Sequence, residues 1–206
     1  MTKTEILNDL EYVKSMAEEG RTTPLLGGRI GLMWGVLLAI TFFGHWAIIS
    51  GTAGLPQSAL GILWLSYAII GGIGNALLGR SLQGKPGISS VGNRTENAVW
   101  VSFVLMMIAC FIGIVLNMVF NDTTPAMFDM MVCIGFAGQI IAYLVIGTMS
   151  HERSQRIPGL LAVLATIVSF ALLGKPELYL AASIAVIFTI IVPSLGQIRK
   201  EPKAVV

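Results

Sequence analysis

Long unbroken apolar runs, separated by short polar stretches, dominate this chain. GILWLSYAIIGGIGNALLG is characteristic: hydrophobic positions follow one another without the alternation that a lipid-facing β-strand shows over about ten residues. Six such blocks cover 29–50, 58–79, 97–120, 126–149, 157–174 and 178–196. About 20 helical residues cross the roughly 30 Å hydrocarbon core of a bilayer. Backbone polar groups in lipid must be satisfied within the segment, so blocks this apolar are expected to be helices. The last two are joined by GKPE, Gly174 to Glu177, a polar, turn-forming connection that favours two spans over one broken unit. The expected fold is an all-α polytopic integral membrane protein with six transmembrane helices and an N-terminal cytoplasmic amphipathic helix. It divides into 1–28, 29–196 and a cytoplasmic tail at 197–206.

The N-terminal helix is read from TKTEILNDLEYVKSMAEEG. Ile6, Leu10, Val13 and Ala17 form one stripe at helical spacing, with Leu7 beside it. Thr4 suits its start and Gly20 its end. Residues 1–28 carry more Asp and Glu than Lys and Arg, so the segment is poorly matched to anionic headgroups. It suits docking on a cytoplasmic protein partner or on the bundle's own basic loops. The residues before the first block contain no apolar region, so no cleavable signal peptide is expected and the first span serves as its own insertion signal. No lipidation motif is read either.

Composition agrees with a membrane class: 55% of the residues are hydrophobic and 12% charged, against about 25% charged in soluble domains. The charges that remain set the threading. Lys3, Lys14, Arg21 and Arg29 precede the first block; Arg80, Lys85 and Arg94 lie between the second and third. Arg153 and Arg156 lie between the fourth and fifth; Arg199, Lys200 and Lys203 follow the sixth. Twelve of the thirteen Lys and Arg therefore fall on one side, and only Lys175 on the other. The positive-inside rule puts that side, and both termini, in the cytoplasm of a plasma membrane of bacterial inner-membrane type. The net charge of +2 is explained by topology and gives no nucleic-acid footprint.

One stretch imitates a nucleotide site. GRSLQGKPG, Gly79 to Gly87, reads G-x-x-x-x-G-K, but Pro86 stands where a phosphate loop needs Ser or Thr for magnesium. Gly79 is expected to cap the second helix instead, with a flexible loop beyond it. Other glycines carry a packing signal. Gly27, Gly31 and Gly35 recur every four residues with Ala39 continuing the row, and Gly71, Gly74 and Gly79 mark the second block. Small residues at this spacing let helices approach closely in lipid, either within the bundle or across a homodimer.

Polar side chains inside the spans are costly and usually face the interior. His45, Asn117 and Asp129 lie at similar depth towards the outer side and are candidates for binding a proton or small polar ligand. Gln139 and Tyr143 share a face with Asp129. The structural alternative puts Asp129 at the outer headgroups and His45 among interfacial groups beside Trp46. One His and one Asp are too few for a closed metal site, so no metal or other cofactor is expected. Cys110 and Cys133 read as buried thiols. Trp34, Trp46, Trp64 and Trp100 fit aromatic belts.

Three classes follow: a non-enzymatic regulatory, sensory or accessory subunit; a small dimeric transporter of a small solute or proton-coupled substrate; and an intramembrane enzyme. The last is disfavoured because no Ser–Lys dyad, HExxH helix or carboxylate pair is present.

Overall fold

A computed structural model describes residues 23–150 and 152–201 of the chain. The expected N-terminal helix, with Ile6, Leu7, Leu10, Val13 and Ala17, lies outside the described residues. The rest is helical, with no strand among the described residues.

Helix α1 is Gly28–Ile49, α2 Ala59–Leu82, α3 Val91–Asn121 and α4 Asp129–Met149, the last entered through a 3-10 turn at Pro125–Phe128. After a second 3-10 turn at Arg153–Gln155 come α5, Arg156–Ala171, and α6, Glu177–Lys200. All but α5 are long and apolar enough to cross a membrane, which makes five candidate spans in a helical membrane protein. With 16 residues, α5 is about 24 Å long at 1.5 Å per residue.

Two boundaries differ from the apolar pattern. Helix α3 begins at Val91, before the block at 97, because the Ser90 hydroxyl accepts from the Asn93 N–H and caps a polar first turn. Helix α2 runs past Gly79 to Leu82, so Gly79 is not its cap. The reversal is made by Gly84 and Gly87, whose φ angles of 90° and 81° exclude most side chains.

Helices α1, α4, α5 and α6 enclose the core, where Phe42, Val132, Phe136, Ala165, Tyr179 and Val186 are packed together. Helix α2 lies against α1 on one flank and α3 against α4 on another. Only 6% of the apolar stretch of each flanking helix is buried, against 56% for the α4 span, so α2 and α3 turn most of their surface outward.

The tightest contact joins α1 to α6. A side-chain carbon at Gly28 would meet the Ser194 carbonyl, one at Gly31 the Ser194 hydroxyl, and one at Gly35 Ile190 and Ile191 at 2.9 Å. One turn further along α1, the Ala39 carbonyl accepts from Ser183 Oγ at 2.8 Å. Gly31 and Gly35 of the row are thus filled by the chain's own last helix, while Gly27 faces Glu96 of α3. Opposite Gly35, α6 widens into a π turn at Ile187–Ile191, separated from Pro193 by Val192 alone. Proline has no N–H to donate four residues back and its ring presses on that carbonyl, so the helix relaxes into a wider turn there. On α2, Gly71 and Gly74 take the Trp34 ring and the Met33 sulfur of α1. Gly79 faces open space and packs against nothing.

Gly35→Leu is expected to lower the thermal midpoint in detergent, since overpacking costs about 1–3 kcal/mol. Gly79→Ala is expected to hold or raise it, by up to about 1 kcal/mol of helix propensity. Equal melting of the two variants in a fluorescence-detected thermal series would exclude the seam as the determinant.

Candidate functional site

Buried polar groups gather at the two ends of the bundle. One end, here the basic end, brings together Arg29, Lys85, Lys200 and Glu201. Arg29 Nε donates to Glu201 Oε2 at 2.9 Å and Lys85 pairs with the other oxygen of the same carboxylate. Lys200 Nζ donates to Glu152 Oε1 at 2.6 Å.

Just inside this end, α3 grips the chain entering α1. The Asn93 Oδ1 accepts from the Leu26 N–H at 2.7 Å, while its Nδ2 donates to the carbonyls of Pro24 and Gly87, each at 3.0 Å. Three residues on, the Glu96 carboxylate accepts from the Gly27 N–H at 3.1 Å and from Gln197 Nε2 at 2.9 Å. Both side chains are 5% exposed. The first N–H groups of a helix have no partner within it and carry its positive dipole end. Gly27 has no side chain to cap them, and a Cβ there would sit 2.7 Å from the Glu96 carboxylate. A carboxylate from α3 therefore caps α1 from outside and ties it to α6 through Gln197.

At the opposite end, Asp129 opens α4. Its Oδ1 accepts from the Tyr179 hydroxyl at 2.6 Å and its Oδ2 from the Gly174 N–H at 3.2 Å. The Tyr179 ring stacks on His45, centroids 3.5 Å apart and planes 11° from parallel. His45 Nδ1 accepts from Trp64 Nε1 at 3.0 Å. This accepted bond puts the proton of a neutral His45 on Nε2. One network thereby links α2, α1, α6 and α4 and fastens the α5–α6 turn.

His45 and Asp129 thus meet through Tyr179, without touching each other. Asn117 is elsewhere: its Oδ1 accepts from Thr123 Oγ1 at 2.7 Å and closes the turn after α3, where Asp122 adopts a left-handed φ of 50°. Gln139 and Tyr143 are buried on α4, about 15 and 21 Å along its axis from Asp129 at 1.5 Å per residue, and take no part in the cluster. Tyr143 packs edge-on against Trp100. Both cysteines are free.

Sequence reasoning passed over Asn93, Glu96, Gln197, Trp64 and Tyr179. The i, i+3 spacing of Asn93 and Glu96 places them on one helical face and was the available signal. Trp64 reads as a belt aromatic and Tyr179 carries no signal of its own, because their partners come from helices distant in sequence.

The all-helical fold, with five helices long and apolar enough to cross a membrane, is that of a helical membrane protein. Compared with protein-family models, with curated proteins and with solved structures, the chain matches none.

Glu96→Ala leaves the Gly27 N–H buried without an acceptor and is expected to cost about 1–3 kcal/mol, read as a lowered thermal midpoint. Tyr179→Phe and Asp129→Asn are expected to be non-additive: the double variant should lose less than the sum of the singles. Strict additivity in the thermal cycle would show that the 2.6 Å contact carries no coupling.

Proposed function

We propose that this protein is a non-enzymatic regulatory, sensory or accessory subunit of the plasma membrane. It spans the bilayer six times, with both termini in the cytoplasm, and presents its N-terminal segment to a cytoplasmic partner. The observation that carries this reading is the anchoring of Pro24, Leu26 and Gly27 by Asn93 and Glu96. Pro24 to Gly27 are thereby held at a fixed point at the basic end, which also carries the Arg29–Glu201–Lys85 cluster. At the two ends Asn93, Glu96 and Asp129 are engaged in holding helices and turns together, which favours a scaffold or reporter over a reaction centre.

The sixth crossing is supported by α5 itself. It starts at the basic end, just after Glu152, which pairs with Lys200. It ends beside Gly174, which donates to Asp129 at the other end. A 16-residue helix that joins the two ends is accommodated by local thinning of the bilayer or by its flanking residues. Six crossings put twelve of the thirteen Lys and Arg on the cytoplasmic side.

A second reading, a small dimeric proton-coupled or solute transporter, is favoured by the His45–Tyr179–Asp129 network, since ionisable groups inside spans often belong to proton or substrate pathways.

Affinity purification in mild detergent of the full chain and of a chain starting at Thr22 separates the two. The expected result is a protein partner that is lost with the truncation and also with Leu10→Glu, at unchanged expression. A partner that stays with the truncated chain excludes the N-terminal docking site. A partner-free homo-oligomer from both, with a proton flux in vesicles that Asp129→Asn abolishes, establishes the transporter.

A further inference from the structure

A cleft of about 280 Å³ lies at the basic end, between the start of α5, the second half of α6 and Leu25. Its inner wall is apolar, formed by Ile157, Leu161, Phe188 and Val192, and its mouth is polar, with Glu152, Gln155 and Lys200. Ile157, Phe188 and Val192 are 61%, 54% and 53% exposed, so the cleft opens sideways onto the surface that faces lipid. From Lys200 at the mouth to Phe188 the wall extends about 18 Å along α6, at 1.5 Å per residue. A polar mouth above a lateral apolar wall is the shape of an amphiphile whose head sits at the interface and whose tail runs down the protein.

Three buried side-chain oxygens have no hydrogen-bond partner among the described residues, Gln139 Oε1, Thr189 Oγ1 and Gln155 Oε1, and of these Gln155 lines the cleft. Gln155 is 3% exposed, and its Oε1 is buried with no donor among the described residues. A buried acceptor in that state has lost water and gained nothing, so a partner that fills the cleft must bring an N–H or O–H. Among the described residues, the charged groups at the mouth are Glu152 and Lys200, which pair with each other at 2.6 Å. Hydrogen bonds from Lys200 and Ser154 hold the Glu152 carboxyl below its ordinary range, so it is ionised at neutral pH. The contribution of that pair is present above the ordinary carboxylate range and is lost as pH falls through the lowered value.

A headgroup with an ammonium on one side and a phosphate on the other answers all three groups. Its N–H donors pair with Glu152 and, with the Gln155 amide turned towards the cleft, with Gln155 Oε1, and its phosphate pairs with Lys200. A choline headgroup has no N–H to give. A glycerol headgroup has hydroxyls to donate, but with its phosphate on Lys200 it leaves Glu152 without a cation. We propose that this cleft holds one phospholipid with a primary-ammonium headgroup, its acyl chain lying along Ile157, Phe188 and Val192.

The test is native mass spectrometry of the full chain in mild detergent, with phosphatidylethanolamine, phosphatidylcholine or phosphatidylglycerol of identical acyl chains. The expected result is one retained phosphatidylethanolamine per chain, about fivefold above either other lipid, the scale of one net hydrogen bond. Gln155→Met, which removes the acceptor at similar length, and Leu161→Trp, which fills the cleft, should each reduce that retention to the level of phosphatidylcholine. Lys200→Gln, at the exposed mouth, should weaken it without unfolding the chain, and is the variant to read if Gln155→Met does not fold. Equal retention of the three lipids overturns the proposal, as does phosphatidylglycerol above phosphatidylethanolamine. So does phosphatidylethanolamine retention unchanged in folded Leu161→Trp or Lys200→Gln.

Discussion

The close approach of α1 and α6 is the constraint on which the rest of this bundle depends. In lipid, apolar side chains gain little by leaving one apolar surface for another, so helices associate through dispersion contacts at short range and through polar groups with nowhere else to bond. Gly28, Gly31 and Gly35 remove the side chains that would hold the first helix away from the last. Ser183 then bonds the Ala39 carbonyl directly. With the two ends of the chain locked side by side, the remaining helices have fixed surfaces to pack on: α2 outside α1, α5 and α4 beyond α6, α3 outside α4.

The two polar assemblies secure this arrangement at its ends. Glu96 and Asn93 satisfy the entry of α1 from α3, a helix that otherwise packs chiefly on α4. Without that link the far flank would be held to the first helix only through the core. At the other end, Asp129 collects Tyr179 and the Gly174 backbone, and Tyr179 stacks on His45. A carboxylate at the start of α4 also complements the positive end of that helix. Of the residues that look like a ligand site in a linear reading, His45 and Asp129 are therefore joined through Tyr179, and Asn117 is engaged with Thr123. Gln155, whose acceptor is unpartnered like those of Gln139 and Thr189, stands apart from both assemblies and lines the cleft for which a lipid is proposed.

The π turn of α6 shows how local chemistry and packing cooperate. Pro193 removes a donor and forces the preceding turn to widen. The widened turn brings Ile190 and Ile191 against Gly35, where any larger residue on α1 would collide. Neither residue explains the geometry alone. The proline creates the irregularity, and the glycine gives it room.

The sequence by itself determined the membrane class, the helical state and nearly all the helix positions. Those follow from the absence of water in the bilayer, which lets apolar run length and backbone self-satisfaction decide locally. It also determined that the glycine row on the first block is a packing surface, because spacing alone puts Gly31, Gly35 and Ala39 on one face. Only the tertiary structure decided which surface fills that row, that Gly79 packs against nothing, and that Asn117 serves a turn while His45 and Asp129 share Tyr179. The role of Glu96 was hidden for the same reason. A carboxylate just before an apolar block reads as an interfacial charge, and its partners, Gly27 and Gln197, lie at opposite ends of the chain. Hydrogen bonds between residues so far apart leave no periodic trace in a sequence; they exist only once helix packing has set the distances.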